Sequence, residues 1–123
     1  MMLEVEAAKM ATTITVSGGC MSTTILDARE MRAAISDRIL RYDDGAEQRF
    51  HADGSTEYRV GDEVQPGRWE IEGDDYVSLW PPSSHRDLYQ VQATGDGSGA
   101  ITGLTFIHRR SGDRFSGHFI SHW

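Results

Sequence analysis

The chain has 123 residues, the size of one domain, so we expect a single hydrophobic core and no second domain. Its 12 Lys and Arg against 19 Asp and Glu leave a net charge of −7, which disfavours nucleic acid because a phosphate backbone is neutralised by clustered basic groups. No apolar run approaches the roughly 20 residues needed to span a bilayer, so we expect no membrane partner.

The N-terminal segment, residues 1–22, mixes helix-compatible and strand-compatible composition, and we predict a poorly anchored tail. An alternative interpretation is that residues 1–20 are an upstream extension, in which case we expect the natural start at Met21. Cys20 is the only cysteine, so no internal disulfide can form, and this favours a reducing, cytoplasmic compartment. An exported, periplasmic location is the alternative, although Glu4 and Glu6 do not suit the basic n-region of a signal peptide.

A short amphipathic helix is predicted next, over about residues 28–36. Asp27 and Glu30 have the spacing of a capping box, which satisfies the free N–H groups at a helix start. Met31 and Ile35 recur at helical spacing, so we expect the apolar face of the helix to cover one end or edge of a sheet.

From residue 38 onward the hydrophobic period becomes two, and Gly or Asp returns about every ten residues. Short connections join only antiparallel neighbours, so this pattern predicts an all-β, up-and-down meander after the one helix. The predicted strands are 38–42, 46–52, 55–60, 67–72, 76–80, 87–93, 100–108 and 113–121. Closure of these eight strands into a small barrel over residues 23–123 removes both exposed edges, and an open half-barrel or a two-sheet sandwich is the alternative.

The clearest alternation lies in the predicted strand 67–72. Trp69 and Ile71 share one face, and Arg68 and Glu70 share the other, because successive side chains of a strand point to opposite sides. We therefore predict that Trp69 and Ile71 point into the barrel.

Several short motifs follow one another along these strands. They are aromatic-x-x-Asp-Gly at 50–54, Gly-x-Trp-x-Ile at 67–71, Tyr76, Trp80-Pro81-Pro82 and Tyr89-x-Val91. In this order they resemble a family of small bacterial β-domains, usually exported and described as lipocalin-like or calycin-like, over roughly residues 39–119. The resemblance implies a barrel and no established activity.

The resemblance also implies a local disulfide between a Cys that follows the tyrosine and a Cys that precedes Tyr-x-Val. In this chain those two positions hold Val77 and Leu88, whose apolar side chains could fill the space of the bridge. The departure agrees with a reducing compartment and puts the export typical of the family in doubt for this chain.

The chain has five histidines, and we predict no metal site among them. His118 and His122 lie four apart on one strand, about 13 Å at the usual rise per residue, too far to share a zinc ion. A hairpin tip at Ser111-Gly112 would place His108 opposite Phe115 and about 10 Å from His118, which is also too far.

His51 with Asp53 and His85 with Asp87 are candidate acid–base pairs for a hydrolase, and each would need a serine such as Ser78 within hydrogen-bond reach. We interpret them as polar residues at strand ends and turns, because no nucleophile-elbow motif accompanies them. A hydrolase is thus the third functional hypothesis, and we predict no catalytic residue and no cofactor.

The aromatic side chains form the core first, and some of them are expected to line a pocket for a small apolar or aromatic ligand. The predicted ligand-binding residues are Tyr58, Trp69, Tyr76, Trp80, Tyr89 and Phe106. His85 and Arg86, in the loop 81–86, are predicted to form the rim. The hypothesis requires a cavity of roughly 300 Å³ or more. A protein-interaction or inhibitor module with a solid core is the alternative.

Overall fold

A computed structural model describes residues 22–123, which form nine β-strands and one α-helix. In chain order they are β1 (Ser22–Ile25), α1 (Ala28–Ile35), β2 (Arg38–Tyr42), β3 (Glu47–Phe50), β4 (Ser55–Val60), β5 (Glu63–Glu72), β6 (Asp75–Leu79), β7 (Arg86–Gly95), β8 (Ile101–His108) and β9 (Arg114–Ile120). Residues 1–21 of the predicted tail, including Cys20, lie outside the described residues, whereas Ser22, the last residue of the predicted tail, begins β1.

Strands β2 to β9 form a closed antiparallel barrel. Each pairs with the next along the chain, and β2 also pairs with β9, which closes the ring. The short β1 pairs with the second half of β7, beyond the residues that pair with β6. The predicted up-and-down barrel of eight strands is therefore confirmed, and the chain forms neither the half-barrel nor the sandwich.

The largest differences from the predicted strands are at β1 and β5, and the other strands differ from the prediction by a few residues at their ends or less. The β1 strand was not predicted, because four residues are too few to show a period of two. β5 begins at Glu63 rather than at residue 67, and Pro66 lies within it opposite Glu57. Proline is tolerated there because β6 pairs only with residues 68–72, which leaves the other side of this segment without a hydrogen-bonded strand.

The predicted helix forms and seals one end of the barrel. Its capping box is complete: Asp27 Oδ1 accepts a hydrogen bond from Glu30 N, and Glu30 Oε1 accepts one from Asp27 N, both at 2.9 Å. Ala28 N donates to Asp74 Oδ1 at 3.0 Å, which ties the helix to the β5–β6 turn. Met31 and Ile35 are fully buried in the core at this end.

Four rings meet in the middle of the barrel, and we refer to Phe50, Trp69, Tyr76 and Phe106 as the central aromatic cluster. Phe50 lies 6.1 to 6.2 Å from the other three ring centroids. Tyr76 and Phe106 are closer, at 4.8 Å. Trp69 is buried as predicted, its Nε1 donating to His51 O, and Ile71 packs against the same core.

The register places Val77 of β6 directly opposite Leu88 of β7. Val77 is buried. The two positions at which the resemblance implies cysteines are thus cross-strand neighbours, where apolar side chains can take the place of a bridge.

The seam that closes the barrel is tight at Gly117. A Cβ atom at this position would lie 2.6 Å from the carbonyl oxygen of Arg41 in β2. Only glycine allows the two strands to approach so closely, so Gly117 contributes to the closure of β9 against β2.

On the outer wall, Glu47 lies between two arginines. Its carboxylate accepts from Arg41 Nε at 2.8 Å and from Arg59 Nη2 at 2.5 Å, and its side chain is 8% exposed. Hydrogen bonds, first from Arg41 and then from Arg59, hold the pKa of Glu47 below its ordinary value. Trp123 covers the guanidinium groups of Arg49 and Arg59 on the same wall.

We expect Phe50→Ala to lower the free energy of unfolding by about 3–5 kcal/mol, because it removes the ring that contacts the rest of the central aromatic cluster. Phe115→Ala is the matched control, since Phe115 is 46% exposed. It is expected to cost about 1 kcal/mol or less. Urea unfolding followed by circular dichroism measures both. Equal losses in the two variants would contradict this account of the core.

We expect Glu47→Gln to be less stable than the wild type near neutral pH. A folded-state pKa below the unfolded value means that the ionised carboxylate stabilises the fold above about pH 4.3, and this contribution disappears as pH falls through the lower folded pKa. The difference in unfolding free energy between the two proteins should therefore shrink toward zero in acid. Urea titrations across the acidic range test this, and a constant or widening difference would refute it.

Candidate functional site

A cavity of about 380 Å³ opens at the end of the barrel opposite α1. Its wall is mainly aromatic. The rings that line it belong to Tyr42, Tyr58, Tyr76, Trp80, Tyr89, Phe106 and Phe115. Because Tyr76 and Phe106 also belong to the central aromatic cluster, they form its floor, and the other rings stand above them toward the mouth.

The alternation of side chains along the strands explains how this wall forms. Every second residue from Tyr76 onward, namely Tyr76 and Ser78 of β6 and Trp80 just after the strand, points to the same side and lines the cavity. Tyr89 of β7 lies opposite Tyr76, so its ring joins the same face. The period of two that predicted the strands therefore also brings these side chains into one space.

A hydrogen-bond network fixes the polar part of the wall. Tyr42 OH donates to Gln48 Oε1 at 2.6 Å, and Gln48 Nε2 donates to Thr56 Oγ1 at 2.9 Å and to Tyr76 OH at 3.5 Å. Thr56 Oγ1 donates onward to Arg49 O at 2.7 Å. Gln48 and Thr56 are buried, so the network satisfies polar groups that would otherwise be costly inside the barrel.

The tyrosines of the cavity stay neutral at ordinary pH. Burial is the largest cause that raises the pKa of Tyr42, Tyr58, Tyr76 and Tyr89. The negative charge of Asp44 raises the pKa of Tyr42 and Tyr58 further. The cavity wall therefore presents neutral phenol groups.

Ser78 differs from the hydrogen-bonded polar residues of the cavity wall. Its side chain is buried at 4% exposure, and its Oγ has no hydrogen-bond partner among the described residues. Ser78 lies near the Tyr89 hydroxyl and lowers the pKa of Tyr89, which offsets part of the rise caused by burial. The positions of the two side chains nevertheless do not meet the criteria for a hydrogen bond. A buried hydroxyl without a partner costs about 1–3 kcal/mol, so such groups point to a bound molecule or water.

A histidine–aspartate cluster lies beside the cavity. Asp87 Oδ1 is 3.0 Å from His108 Nε2 and 3.1 Å from His85 Nε2. The hydrogen bond with His108 is the main reason that the pKa of Asp87 is lowered. His108 Nδ1 accepts from the backbone N–H groups of Arg110 and Ser111, so the ring proton is on Nε2 and points to Asp87.

The cluster does not have the geometry of a catalytic triad. Ser78 lies directly opposite Asp87, which would be a suitable neighbourhood for a serine nucleophile. However, both nitrogens of His108 are already used, so this imidazole has no free nitrogen to take a proton from Ser78. Among residues 22–123, no group of three or more His, Cys, Asp or Glu side chains is placed to hold a metal ion.

Of the two candidate pairs, His85 and Asp87 lie within hydrogen-bond distance, whereas His51 and Asp53 form different contacts. His51 Nε2 lies 2.9 Å from Glu57 Oε1 on the neighbouring strand. Asp53 instead accepts hydrogen bonds from the backbone and hydroxyl of Ser55 within the β3–β4 turn. The position of His51 at the end of β3 directs it across to β4 rather than along the chain.

The predicted register of the last hairpin was wrong. Phe115 pairs with Phe106, and His108 N donates to Asp113 O, so His108 does not face Phe115. The connection is longer than a tip at Ser111-Gly112 would give, because strand pairing stops at Ile107 and Arg114. The longer turn also contains the backbone N–H groups of Arg110 and Ser111, which donate hydrogen bonds to His108 Nδ1.

Five of the six predicted ligand-binding residues line the cavity: Tyr58, Tyr76, Trp80, Tyr89 and Phe106. Trp69 does not, because it lies deeper and stacks on Tyr76 in the core, at 6.0 Å between ring centroids. The two rim residues lie outside the lining. His85 contacts Asp87, and Arg86 pairs with Glu70 and Glu72 at 3.2 Å each.

Sequence reasoning missed several lining residues, chiefly Tyr42, Gln48, Ser78 and Phe115. Tyr42 had a usable signal, because it lies two residues after the buried Leu40 on a predicted strand. Ser78 had a similar signal, because it lies two residues after Tyr76 and two residues before Trp80 and so shares their face of the strand. Its lack of a partner depends on three-dimensional packing.

Gly67 determines where Trp80 lies. A Cβ atom at residue 67 would be 2.4 Å from Trp80 Cε3, so the indole rests directly on the glycine backbone. The same indole meets Tyr58 edge to face, with 6.0 Å between the centroids. Gly67 therefore lets Trp80 lie against the barrel wall at the mouth of the cavity.

Comparison of the chain with known protein families, curated proteins and solved structures gave no match. Within residues 22–123, no helix is long and apolar enough to cross a membrane. The function must therefore be argued from the geometry of the cavity itself.

We expect Gly67→Ala to displace the Trp80 indole, because the added methyl group occupies the position of the ring. In a ¹H–¹⁵N correlation spectrum, the Trp80 indole N–H resonance, assigned with Trp80→Phe, should shift. The Trp69 indole resonance is the internal control and should keep its position. An unchanged Trp80 resonance would show that Gly67 does not set the shape of the mouth.

Proposed function

We propose that this protein binds a small, largely apolar ligand in the open end of its barrel. The observation that carries the proposal is a cavity of about 380 Å³ with aromatic walls and one buried hydroxyl without a partner among the described residues. Ligand pockets typically measure about 300–1,000 Å³ and combine apolar walls with a few placed polar groups, so this cavity falls within their range.

The distribution of polar groups supports a ligand with few hydrogen-bonding atoms. Tyr42, Gln48 and Thr56 already bond to one another. Ser78 and the hydroxyl of Tyr89 remain to contact a ligand, while the rings around them provide apolar surface. A ring-sized group with one or two polar atoms therefore fits the wall.

The closed barrel of eight antiparallel strands is consistent with a lipocalin-like architecture. We propose the lipocalin-like or calycin-like assignment on this barrel together with the motif order, including the Val77–Leu88 pair. Such barrels can hold one small ligand in the lumen, which agrees with the proposed site by analogy of fold.

The two other hypotheses receive less support. A protein-interaction or inhibitor module was expected to have a solid core, whereas this barrel has a cavity at one end. A hydrolase needs a base within hydrogen-bond reach of its serine, but both nitrogens of His108 are occupied, and neither His85 nor any other described side chain hydrogen-bonds to Ser78 Oγ. A small molecule is therefore the partner that we propose.

Titration with the neutral fluorescent probe N-phenyl-1-naphthylamine tests this function. We expect saturable binding by the full chain and about tenfold weaker binding by Trp80→Ala, since losing a ring contact costs on the order of 1–1.5 kcal/mol. Trp123→Ala is the matched control, because Trp123 lies on the outer wall and its loss should leave the affinity unchanged. Absence of binding, or equal weakening in both variants, would overturn the proposal.

A further inference from the structure

We infer that the cavity prefers an organic cation, an ammonium or quaternary ammonium group carried on an apolar body, over neutral and anionic molecules of the same size. This inference rests on the proposed function and specifies its ligand class. It comes from the rings at the cavity mouth, the carboxylates beside them and the direction of the nearest arginine.

Three rings at the mouth, Tyr42, Tyr58 and Trp80, pack against one another and line the cavity. Tyr58 lies 6.0 Å from Tyr42 at an interplanar angle of 47° and 6.0 Å from Trp80 at 72°. Rings that pack against one another at these angles present faces as well as edges to the cavity that they line. Aromatic faces attract cations, Trp most strongly, and quaternary ammonium ligands are recognised in cages of aromatic rings.

Two carboxylates line the same mouth. Asp43 and Asp44 belong to the β2–β3 turn, next to Tyr42. Asp44 accepts a hydrogen bond from the backbone of Ala46, and within residues 22–123 no Arg or His side chain forms a salt bridge with either aspartate. Their negative charge is thus available to a ligand, and it reaches the ring wall, since Asp44 raises the pKa of Tyr42 and Tyr58.

No described cation is directed into this space. Arg114 is the basic residue among those that line the cavity. Its Nη2 donates to Gln92 Oε1 at 3.2 Å, and Gln92 alternates along β7 with the buried Val91 and Ala93. The guanidinium group therefore lies on the outer face of the wall and does not compete for the carboxylates.

A second, independent feature points to a ligand deeper in the same cavity. Ser78 Oγ is buried and has no partner among the described residues, and it can accept a hydrogen bond from an ammonium N–H or from a polar atom of the ligand body. The net charge of −7 adds long-range attraction for a cation. The net charge thus adds to the preference for a cation, and Ser78 offers the ligand a polar contact inside the cavity.

Three probes that share a benzyl body test the charge preference: benzyltrimethylammonium, its neutral carbon isostere neopentylbenzene, and phenylacetate. Each is used to displace N-phenyl-1-naphthylamine from the full chain. We expect the cation to bind about tenfold more tightly than the isostere, the range that cation–π contacts and nearby carboxylates provide, and phenylacetate to bind most weakly.

The double variant Asp43→Asn/Asp44→Asn should weaken benzyltrimethylammonium about three- to tenfold and leave the neutral probe unchanged. Asp62→Asn, in the β4–β5 turn, is the matched control and should change neither affinity. If the isostere or phenylacetate binds as tightly as the cation while the neutral probe still binds, the charge preference is refuted and the proposed function stands. If the neutral probe itself does not bind, the proposed function fails, and the charge preference fails with it.

Discussion

The contact between the rings of Tyr76 and Phe106, 4.8 Å apart in the middle of the barrel, is the interaction on which the rest of the structure depends. An eight-stranded barrel is just wide enough for its own side chains to fill, so a single layer of rings is sufficient to divide the interior. With Phe50 and Trp69, these two rings form a layer between the end sealed by α1 and the open end.

On the helix side of this layer, buried apolar side chains form a hydrophobic core. Met31, Ile35, Leu40 and Leu104 are buried there, and the capping box and the bond to Asp74 hold the helix in place. On the other side, apolar surface continues up the wall without enough side chains to fill the space. The same aromatic residues therefore stabilise the fold on one side and bound the cavity on the other, so stability and binding are coupled through the central aromatic cluster.

The shape of the open end follows from two further constraints. Gly67 leaves room for the Trp80 indole against the wall, and Gly117 allows β9 to approach β2 where the barrel closes. The β2–β3 turn then brings Asp43 and Asp44 next to the rings of Tyr42 and Tyr58. In this way, two glycines and one turn convert a generic barrel mouth into a site with a defined shape and charge.

Much of this arrangement could be predicted from the sequence, because a period of two shows which face of a strand each side chain takes. It predicted the eight barrel strands, the helix and the inward direction of Trp69, but it missed β1 and the first four residues of β5. It could not tell how deep a side chain lies, and so Trp69 in the core and Tyr58 in the cavity were given the same role. The register of His108 depends on turn length, and the missing partner of Ser78 depends on packing, neither of which a local pattern contains.

The central claim is that the aromatic layer leaves only the end opposite α1 open to a small molecule. Isotope-filtered nuclear Overhauser spectroscopy on the full chain bound to N-phenyl-1-naphthylamine tests it most directly. We expect contacts from the probe to ring protons of Tyr58, Trp80 and Phe115, and none to the methyl groups of Met31 or Ile35. Contacts to the helix end of the core, or to the outer wall alone, would contradict it.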